Sequence, residues 1–397
     1  MNERVKFLAE YLEHAVSFSE LCERFEISRK TGYKWVERYE QGGVTQLVER
    51  SRAPHHRPHK VDDEVVAAIV AARRKHPRWG PRKLLVILHR QHPRMPLPVA
   101  STVGEILRKH GLVGARRRRH YSAPYAERLG GYDRPNAVWC ADFKGHFAVE
   151  GKRCHPLTIT DGFSRYLIRC QALKRPLTEP SKSVFESAFI EYGLPDAIRT
   201  DNGAPFSTLA PGGLSRLAIW WIRLGIRPER IMPGRPDQNG RHERMHSTLK
   251  AETARPPRRS MRGQQLAFDH FRDEYNHVRP HEALDLTTPG SVYQRPTKQF
   301  PSKLPELEYP FHFRAERVYP NGVISLAGTQ WYLSHCLAGE VVGLELMHDQ
   351  RWKVHFGPIE LGMLDVRNAR RRAGRNFAVL VRSDGKISKR KRQRRPR

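Results

Sequence analysis

The chain has 397 residues, and its 71 lysines and arginines outnumber its 41 acidic residues to give a formal net charge of +30. A surface this cationic predicts a polyanionic partner, and because the charge is spread along the sequence it favours nucleic acid over one membrane-binding patch. No apolar run is long enough to predict a membrane-spanning helix. The five cysteines are scattered and form no C-x-x-C pair, which argues against disulfides and structural zinc and for a reducing compartment, the cytoplasm.

Three amphipathic helical segments are predicted within residues 1–45. The second begins near Glu20 after a serine-flanked turn, and the third, residues 29–39, has Val36 on an apolar side. The opposite side of this third segment carries cations and hydrogen-bond donors suited to a major groove, namely Arg29, Lys30, Tyr33 and Lys34. Residues 1–45 therefore predict a helix-turn-helix DNA-binding domain. An ordinary three-helix bundle with a solvated basic face is the alternative interpretation.

The segment 61–113 repeats this helical pattern in three stretches separated by prolines. The last stretch, residues 100–109, is predicted to be a second recognition helix whose first turn carries Ser101 and Thr102. Residues 61–113 therefore predict a second helix-turn-helix DNA-binding domain. Two such domains in tandem grip a longer DNA site and make more phosphate contacts than one.

Two basic linkers flank this second domain. Residues 46–60 form a basic linker rich in glycine, proline, histidine and arginine, whose Arg52 and Arg57 are expected to follow DNA phosphates or the minor groove. Residues 114–135 form an arginine-rich linker with four consecutive arginines, Arg116, Arg117, Arg118 and Arg119. Such a run is either a solvated linker or a DNA-backbone contact, and the net charge of the chain favours the DNA contact.

From residue 136 the pattern changes to alternating strands and helices. Three strands with short connections, around residues 137–144, 156–161 and 165–170, predict an antiparallel meander. A helix over residues 181–192 then leads to a short strand at Ile198, and a helix, a strand and a final helix follow. This order of elements predicts a layered α/β domain.

Three carboxylates occupy distinctive positions in this domain. Asp142 lies inside an apolar strand, Asp201 lies between a strand and a turn, and Glu243 lies in the final helix. Three carboxylates without cysteine or histidine partners select oxygen-preferring cations, so two Mg²⁺ ions per site are expected, with Mn²⁺ as a substitute. From spacing alone, purely structural roles for these acids stay open.

Four ordered blocks carry a family resemblance: WCADFKGHF, RTDNGAPF, GRPDQNGRHERMHSTLK and YNHVRPHEALDLTTP. The first three resemble the blocks of the DDE integrase core in retroviral integrases and bacterial insertion-sequence transposases. The fourth is similar to the block that closes this core in the bacterial transposases. The resemblance implies an RNase H-like fold for residues 136–295, with Asp142, Asp201 and Glu243 as the catalytic, metal-binding triad. It also implies that Lys250, on the helix face of Glu243, contacts substrate DNA.

The chain departs from the retroviral pattern in the interval between Asp201 and Glu243, which is longer. The extra residues are expected in the loop 208–213. In the fourth block, hydrogen-bond donors surround a proline-fixed turn at Asn276, Arg279 and His281. These donors either brace the catalytic face or touch DNA, and we favour bracing.

After a proline-rich connection, residues 311–366 alternate as short strands separated by glycine-containing turns. Strands of this length and spacing predict a small β-barrel, which resembles the C-terminal DNA-binding barrel of such transposases. Residues 367–397 end in a run of lysines and arginines, and they are expected to be a basic tail that binds phosphates without sequence preference.

These features predict a multidomain α/β protein with N-terminal helix-turn-helix domains, an RNase H-like integrase core and a C-terminal small β-barrel. The resemblance implies a bacterial, nucleoid-associated DNA transposase. Such an enzyme binds the terminal inverted repeats of its insertion sequence, exposes 3′-OH ends and joins them to target DNA by metal-dependent transesterification. Joining two ends implies a homo-oligomer on DNA, a dimer or a tetramer, and no membrane partner.

Two other functions compete with this interpretation. One is a DNA-binding regulator derived from an inactive transposase, which an intact triad disfavours because a binding protein needs no acids that face phosphate. The other is an RNase H-like nuclease for RNA–DNA hybrids, which has no need of tandem helix-turn-helix domains.

Overall fold

The computed structural model of the protein describes residues 3–49, 60–114, 132–208, 210–231 and 240–366 and the strand at 377–379. The chain divides into two compact units, Met1–Asp63 and Glu64–Arg397. Within the described ranges, no helix combines the length and the apolar character that crossing a membrane requires.

Three helices form the first unit. They are α1 (Glu3–Leu12), α2 (Phe18–Arg24) and α3 (Arg29–Gly42). Serine side chains cap the second and third: Ser17 accepts a hydrogen bond from the Glu20 amide at 3.3 Å, and Ser28 accepts one at 3.2 Å from the amide three residues on. The apolar faces meet in a small core that includes Phe7, Leu21, Val36 and Leu47. The three predicted helices are confirmed, and α3 contains the whole predicted recognition segment.

The second unit begins with three further helices. They are α4 (Asp63–Lys75), α5 (Pro81–Gln91) and α6 (Ala100–Lys109). Pro81 occupies the first position of α5, where its missing N–H has no partner to lose. The apolar faces of the three helices bury Ile69, Leu84, Leu88, Val103 and Leu107. The helix predicted over residues 100–109 is confirmed as α6.

A six-stranded sheet forms the centre of the second unit. Its strands are β1 (Val138–Phe143), β2 (Phe147–Val149), β3 (Lys152–Asp161), β4 (Leu167–Leu173), β5 (Ala197–Thr200) and β6 (Arg227–Arg230). Strands β1, β3 and β4 pair antiparallel, which confirms the predicted meander, and the short β2 also pairs with β3. Strand β5 pairs parallel with β1, and β6 pairs parallel with β5.

Helices cover both faces of this sheet. They are α7 (Thr178–Tyr192), α8 (Arg216–Arg223), α9 (Gly240–Thr253) and α10 (Met261–Asp273). On one face, Phe185 of α7 and Trp221 of α8 pack in one core with Trp139 of β1. On the other face, Leu249 of α9 packs in a second core with Leu167 of β4. The predicted α/β layers are confirmed.

The segment after α10 packs against β4 and the end of α9. Its helical elements are the π-helical turn Glu274–Val278, the 3₁₀ turn Glu282–Leu284 and α11 (Pro289–Val292). The buried Asn276 side chain accepts a hydrogen bond from the Leu167 amide at 2.8 Å and donates one to the Leu167 carbonyl at 3.0 Å. Arg279 donates to the Glu252 carboxylate at 2.9 Å, which ties this segment to the end of α9. Asn276 and Arg279 therefore brace β4 and the end of α9, and bracing of the catalytic face itself stays a prediction.

Seven strands in two sheets form the C-terminal part of the described chain. They are β7 (Phe313–Arg317), β8 (Val323–Leu326), β9 (Thr329–Tyr332), β10 (Val341–Leu346), β11 (Arg351–Phe356), β12 (Ile359–Asp365) and β13 (Phe377–Val379). One sheet has the order β12-β11-β10-β7 and the other the order β13-β9-β8. Both contribute to one apolar core, into which Ile222 of α8 also packs. Among these strands no ladder closes one sheet onto the other, so the small β-barrel is not confirmed.

Candidate active site

Strand alternation places Asp142 on the sheet face that α9 covers. Trp139 of β1 and Leu157 and Ile159 of β3 pack in the core beneath α7 and α8. Because side chains alternate along a strand, Asp142 and Thr158 point to the opposite face. The two residues are also direct partners in the antiparallel ladder between β1 and β3. The strand acid and a strand hydroxyl therefore lie side by side beneath α9.

Asp201 reaches the same region through the parallel pairing of β1 with β5. Ala141 pairs with Thr200, so the two acids that follow them stand at the same level of adjacent strands, which lie about 4.8 Å apart. The Asp201 Oδ1 atom accepts a hydrogen bond from the Gly203 amide at 3.1 Å. This hydrogen bond closes a turn that holds the carboxylate at the strand end. The predicted position of Asp201 between a strand and a turn is confirmed.

Glu243 lies in the first turn of α9, and its side chain is exposed. On the same helix His242 and His246 are buried, and both contact the Thr158 hydroxyl. These contacts fix α9 against the sheet beside Asp142. The helix that carries the third acid is thus held beside the first acid, Asp142. The catalytic roles of the three acids stay a prediction.

Two histidines that the sequence patterns did not single out lie beside Asp142. The His246 Nδ1 atom is 3.7 Å from Asp142 Oδ2, and ligand atoms of Asp142, His242 and His246 all lie within 4.8 Å of one another. The expectation that the acids lack histidine partners is therefore wrong. The sequence held a signal, since histidines four residues apart share one helix face. Carboxylate oxygens and imidazole nitrogens together suit a divalent metal ion.

The two histidines share a hydrogen-bond network with the threonines of β3. The Thr158 Oγ1 atom lies 2.6 Å from His242 Nε2 and 2.7 Å from His246 Nε2. It also donates to the backbone carbonyl of Asp142 at 3.1 Å. The Thr160 Oγ1 atom lies 3.2 Å from His242 Nδ1. One hydroxyl group, that of Thr158, therefore joins β1, β3 and α9.

Burial determines the charge of these two rings. It lowers the pKa of His242 to about 3, with a smaller contribution from the positive charge of Lys144. Burial, followed by the neighbouring His242 and Lys144, holds the pKa of His246 far below its usual range. Both imidazoles are therefore neutral near neutral pH.

Asp161 is a buried carboxylate near this site that serves the turn after β3. Its Oδ1 atom accepts a hydrogen bond from the Asn136 amide and its Oδ2 atom accepts one from the Ser164 amide, both at 2.8 Å. Burial raises the pKa of Asp161, and these hydrogen bonds oppose that shift. Its contacts are those of a structural cap.

The predicted DNA-contacting residues of α3 lie on the surface of the first unit. The exposed side chains of α3 include Arg29, Lys30, Tyr33 and Lys34. The Tyr33 ring stacks on Phe18 with 4.2 Å between ring centroids, which holds it at the helix surface. The four residues are accessible to a DNA groove, and their contact with DNA stays a prediction.

The other predicted DNA contacts are distributed along the chain. Ser101 at the start of α6 is exposed and Thr102 is partly buried. Lys250 is exposed on α9, and seven residues after Glu243 it returns to nearly the same helix face. The predicted contacts in the two linkers lie outside the described residues, namely Arg52, Arg57, Arg116, Arg117, Arg118 and Arg119.

Comparison with protein families matches the chain to two kinds of domain. Residues 132–236 and residues 224–289 match two family models that are both described as an integrase core domain. Residues 3–55 match a helix-turn-helix domain and residues 31–107 a homeodomain-like domain. The protein therefore combines N-terminal helix-turn-helix domains with an integrase core. These domains imply DNA binding, and an integrase core implies the use of divalent metal ions.

Two of the curated relatives belong to bacterial insertion elements. The chain is 26% identical over 273 residues to an uncharacterized 31.7 kDa protein of insertion element IS407 from Burkholderia multivorans, with 66% of this chain and 94% of that protein covered. It is 26% identical over 227 residues to a 39.2 kDa protein of IS476 from Xanthomonas euvesicatoria, with 56% and 63% covered. The predicted resemblance to bacterial insertion-sequence proteins with an integrase core is confirmed.

Among solved structures, the chain is similar to the HTLV-2 integrase catalytic core domain in complex with magnesium. The sequence identity is 17% and the TM-score is 0.33, with 41% of this chain and 99% of that chain covered.

Proposed function

We propose that this protein is a DNA transposase whose integrase core joins the ends of its insertion sequence to target DNA. The helix-turn-helix domains bind the terminal inverted repeats. The core cleaves at the element end to expose a 3′-OH and directs that hydroxyl at a target phosphodiester. Asp142, Asp201 and Glu243 would hold two Mg²⁺ ions, for which Mn²⁺ substitutes. Such ions supply positive charge at the attacking and leaving oxygens.

One observation carries this proposal: Asp142 and Asp201 lie near the carboxyl ends of the adjacent strands β1 and β5, and α9 lies beside Asp142. Adjacent parallel strands bring the two aspartates to the same level, and the buried histidines hold the Glu243 helix beside Asp142. Carboxylates repel phosphate, so a protein that only occupied DNA sites would gain nothing from acids gathered there. The arrangement therefore supports an enzyme over a DNA-binding regulator.

A strand-transfer assay tests the proposal. It uses the full chain, a duplex that carries the inverted repeat flanking the coding sequence, a target plasmid and Mg²⁺. Asp142→Asn, Asp201→Asn and Glu243→Gln should each lower joining by about a thousandfold or more, because each loses several kcal/mol of charge stabilisation in the transition state. Affinity for the end duplex should change little.

The matched control is Glu186→Gln, which removes an exposed acid from α7 on the opposite side of the sheet. This variant should join DNA as the wild type does. Near-normal joining by any of the three triad variants would refute the site assignment. Specific binding by a wild-type chain that never joins DNA would support the regulator instead.

Joining two ends to one target requires two active centres held together, so the proposal includes a dimer or tetramer on DNA. Analytical ultracentrifugation of the chain with end duplexes measures this. A complex that stays at one protein per duplex during active joining would refute it.

A further inference from the structure

A buried imidazole nitrogen faces the first acid of the proposed triad. The His246 Nδ1 atom lies 3.7 Å from Asp142 Oδ2, and the ring is 2% exposed. The opposite nitrogen of the same ring is held by the Thr158 hydroxyl, which is itself fully buried. The question is which nitrogen of His246 carries the proton.

The hydrogen bonds of the Thr158 hydroxyl determine which nitrogen of His246 carries the proton. The Thr158 hydroxyl has one proton and three polar neighbours, and among them the Asp142 carbonyl oxygen can only accept. When the hydroxyl donates to that carbonyl, both imidazole Nε2 atoms donate N–H to the threonine oxygen, and all three contacts are hydrogen bonds. A ring that donates from Nε2 can offer the lone pair of Nδ1 to a metal ion, and ligand atoms of Asp142, His242 and His246 all lie within 4.8 Å of one another. His242 Nδ1 accepts from the Thr160 hydroxyl, whereas His246 Nδ1 directs its lone pair at Asp142.

A lone pair and a carboxylate oxygen repel each other unless a cation or a hydrogen-bond donor lies between them. We propose that His246 Nδ1 is a ligand of the divalent ion that Asp142 holds, so that this ion binds nitrogen as well as carboxylate oxygen. His242 is a positioning residue: it contacts the same Thr158 hydroxyl as His246 and so helps to keep the His246 proton on Nε2. The inference rests on the proposed function, in which Asp142 is a metal ligand.

The distances suit this assignment. Two atoms that each bind one ion at about 2.1 Å lie roughly 3.0–3.4 Å apart in octahedral or tetrahedral geometry. The observed 3.7 Å closes to that range with a small rotation of either side chain. Imidazole prefers transition metals, whereas Mg²⁺ prefers oxygen. The site therefore favours Mn²⁺ over Mg²⁺ more strongly than three carboxylates alone would.

Pulsed electron paramagnetic resonance of the full chain loaded with Mn²⁺ tests the inference, because it detects nitrogen bound directly to the ion. The expected spectrum shows modulation from a single coordinated ¹⁴N nucleus. Protein grown with ¹⁵N-histidine should replace that pattern with a ¹⁵N pattern, and this labelling leaves the fold unchanged. The signal then belongs to a histidine.

Two histidine variants assign the signal to its residue. His246→Asn should abolish the nitrogen modulation and weaken Mn²⁺ binding by about tenfold or more. The matched control, His270→Asn, changes an exposed histidine on α10 and should alter neither quantity.

The result with Mn²⁺ distinguishes failure of the histidine ligand from failure of the metal site itself. Mn²⁺ that binds in an Asp142-dependent way without nitrogen modulation overturns the inference and leaves the proposed function intact. A signal lost in His242→Asn but kept in His246→Asn also overturns it. If Asp142→Asn does not weaken Mn²⁺ binding at all, the metal site of the proposed function itself fails, and the inference fails with it.

Discussion

Replacing Thr158 with valine tests whether one buried hydroxyl holds α9 against the sheet. The change keeps the branched shape of the side chain and removes the oxygen that His242, His246 and the Asp142 carbonyl share. Thr158 has no exposed surface, so water cannot take the place of the hydroxyl unless the helix moves away from the strand. We therefore expect Thr158→Val to promote local opening between β3 and α9.

The size of the effect follows from the groups that lose a partner. A buried donor or acceptor left unpaired costs about 1–3 kcal/mol, so three such groups set an upper limit of roughly 9 kcal/mol. Each imidazole can shift its proton to the other nitrogen and reduce its penalty to the lower end of that range. We therefore expect about 3 kcal/mol in total, which increases the population of the opened state roughly a hundredfold.

Hydrogen–deuterium exchange of peptides from β3 and α9 measures this population directly, because exchange reports the local opening free energy. Thr158→Ser is the matched control, since it keeps the hydroxyl and loses one methyl group, a change of about 1 kcal/mol or roughly fivefold. Peptides from α3 in the other unit should exchange equally in all variants. Equal protection of β3 and α9 in the valine and serine variants would refute the reasoning.

Two further predictions concern other parts of the chain. Ser28→Ala removes the cap of α3 and should destabilise the first unit by about 1 kcal/mol in thermal unfolding, whereas Ser28→Asp should retain most of the stability; equal melting of both variants would refute a capping role. Burial, and to a lesser extent the positive charge of Lys83, lowers the pKa of His281 to about 3 in the folded protein. As the pH falls, His281 is therefore protonated in the unfolded chain before it is protonated in the folded one. Stability present above about pH 6.5 is then lost as the pH falls, by up to about 1.4 kcal/mol per pH unit from this group. His281→Asn should reduce that slope in urea unfolding between about pH 6 and about pH 5, and an unchanged slope would contradict the assignment.

Local sequence patterns were sufficient for the helices and most strands of the core. Helix α6 has the bounds that its apolar spacing predicts, because the period of an amphipathic helix is set by neighbours within one or two turns. The position of Asp142 within a strand and that of Asp201 after a strand end were also predictable, since short apolar runs mark strands and turn residues mark their ends.

Long-range contacts were not predictable in the same way. The Thr158 hydroxyl and His242 Nε2 are 84 residues apart in sequence, so the spacing of the histidines shows a shared helix face but not the strand beneath it. The same limit applies to the C-terminal strands. Their length and alternation predict β-structure, but closure into a barrel depends on which edges pair, and β7 and β12 remain edge strands of one open sheet.

The parallel pairing of β1 with β5 determines when the proposed metal site can form during synthesis. Asp142 and Asp201 meet only after the crossover through α7 is complete, and the histidine contacts to Thr158 span up to 88 residues. Helical units with local contacts fold earlier than sheets with such distant pairings. A growing chain therefore displays its N-terminal helices first. The proposed metal centre is completed only after α9 has emerged from the ribosome, so an interrupted chain lacks the acid and the two histidines that α9 carries.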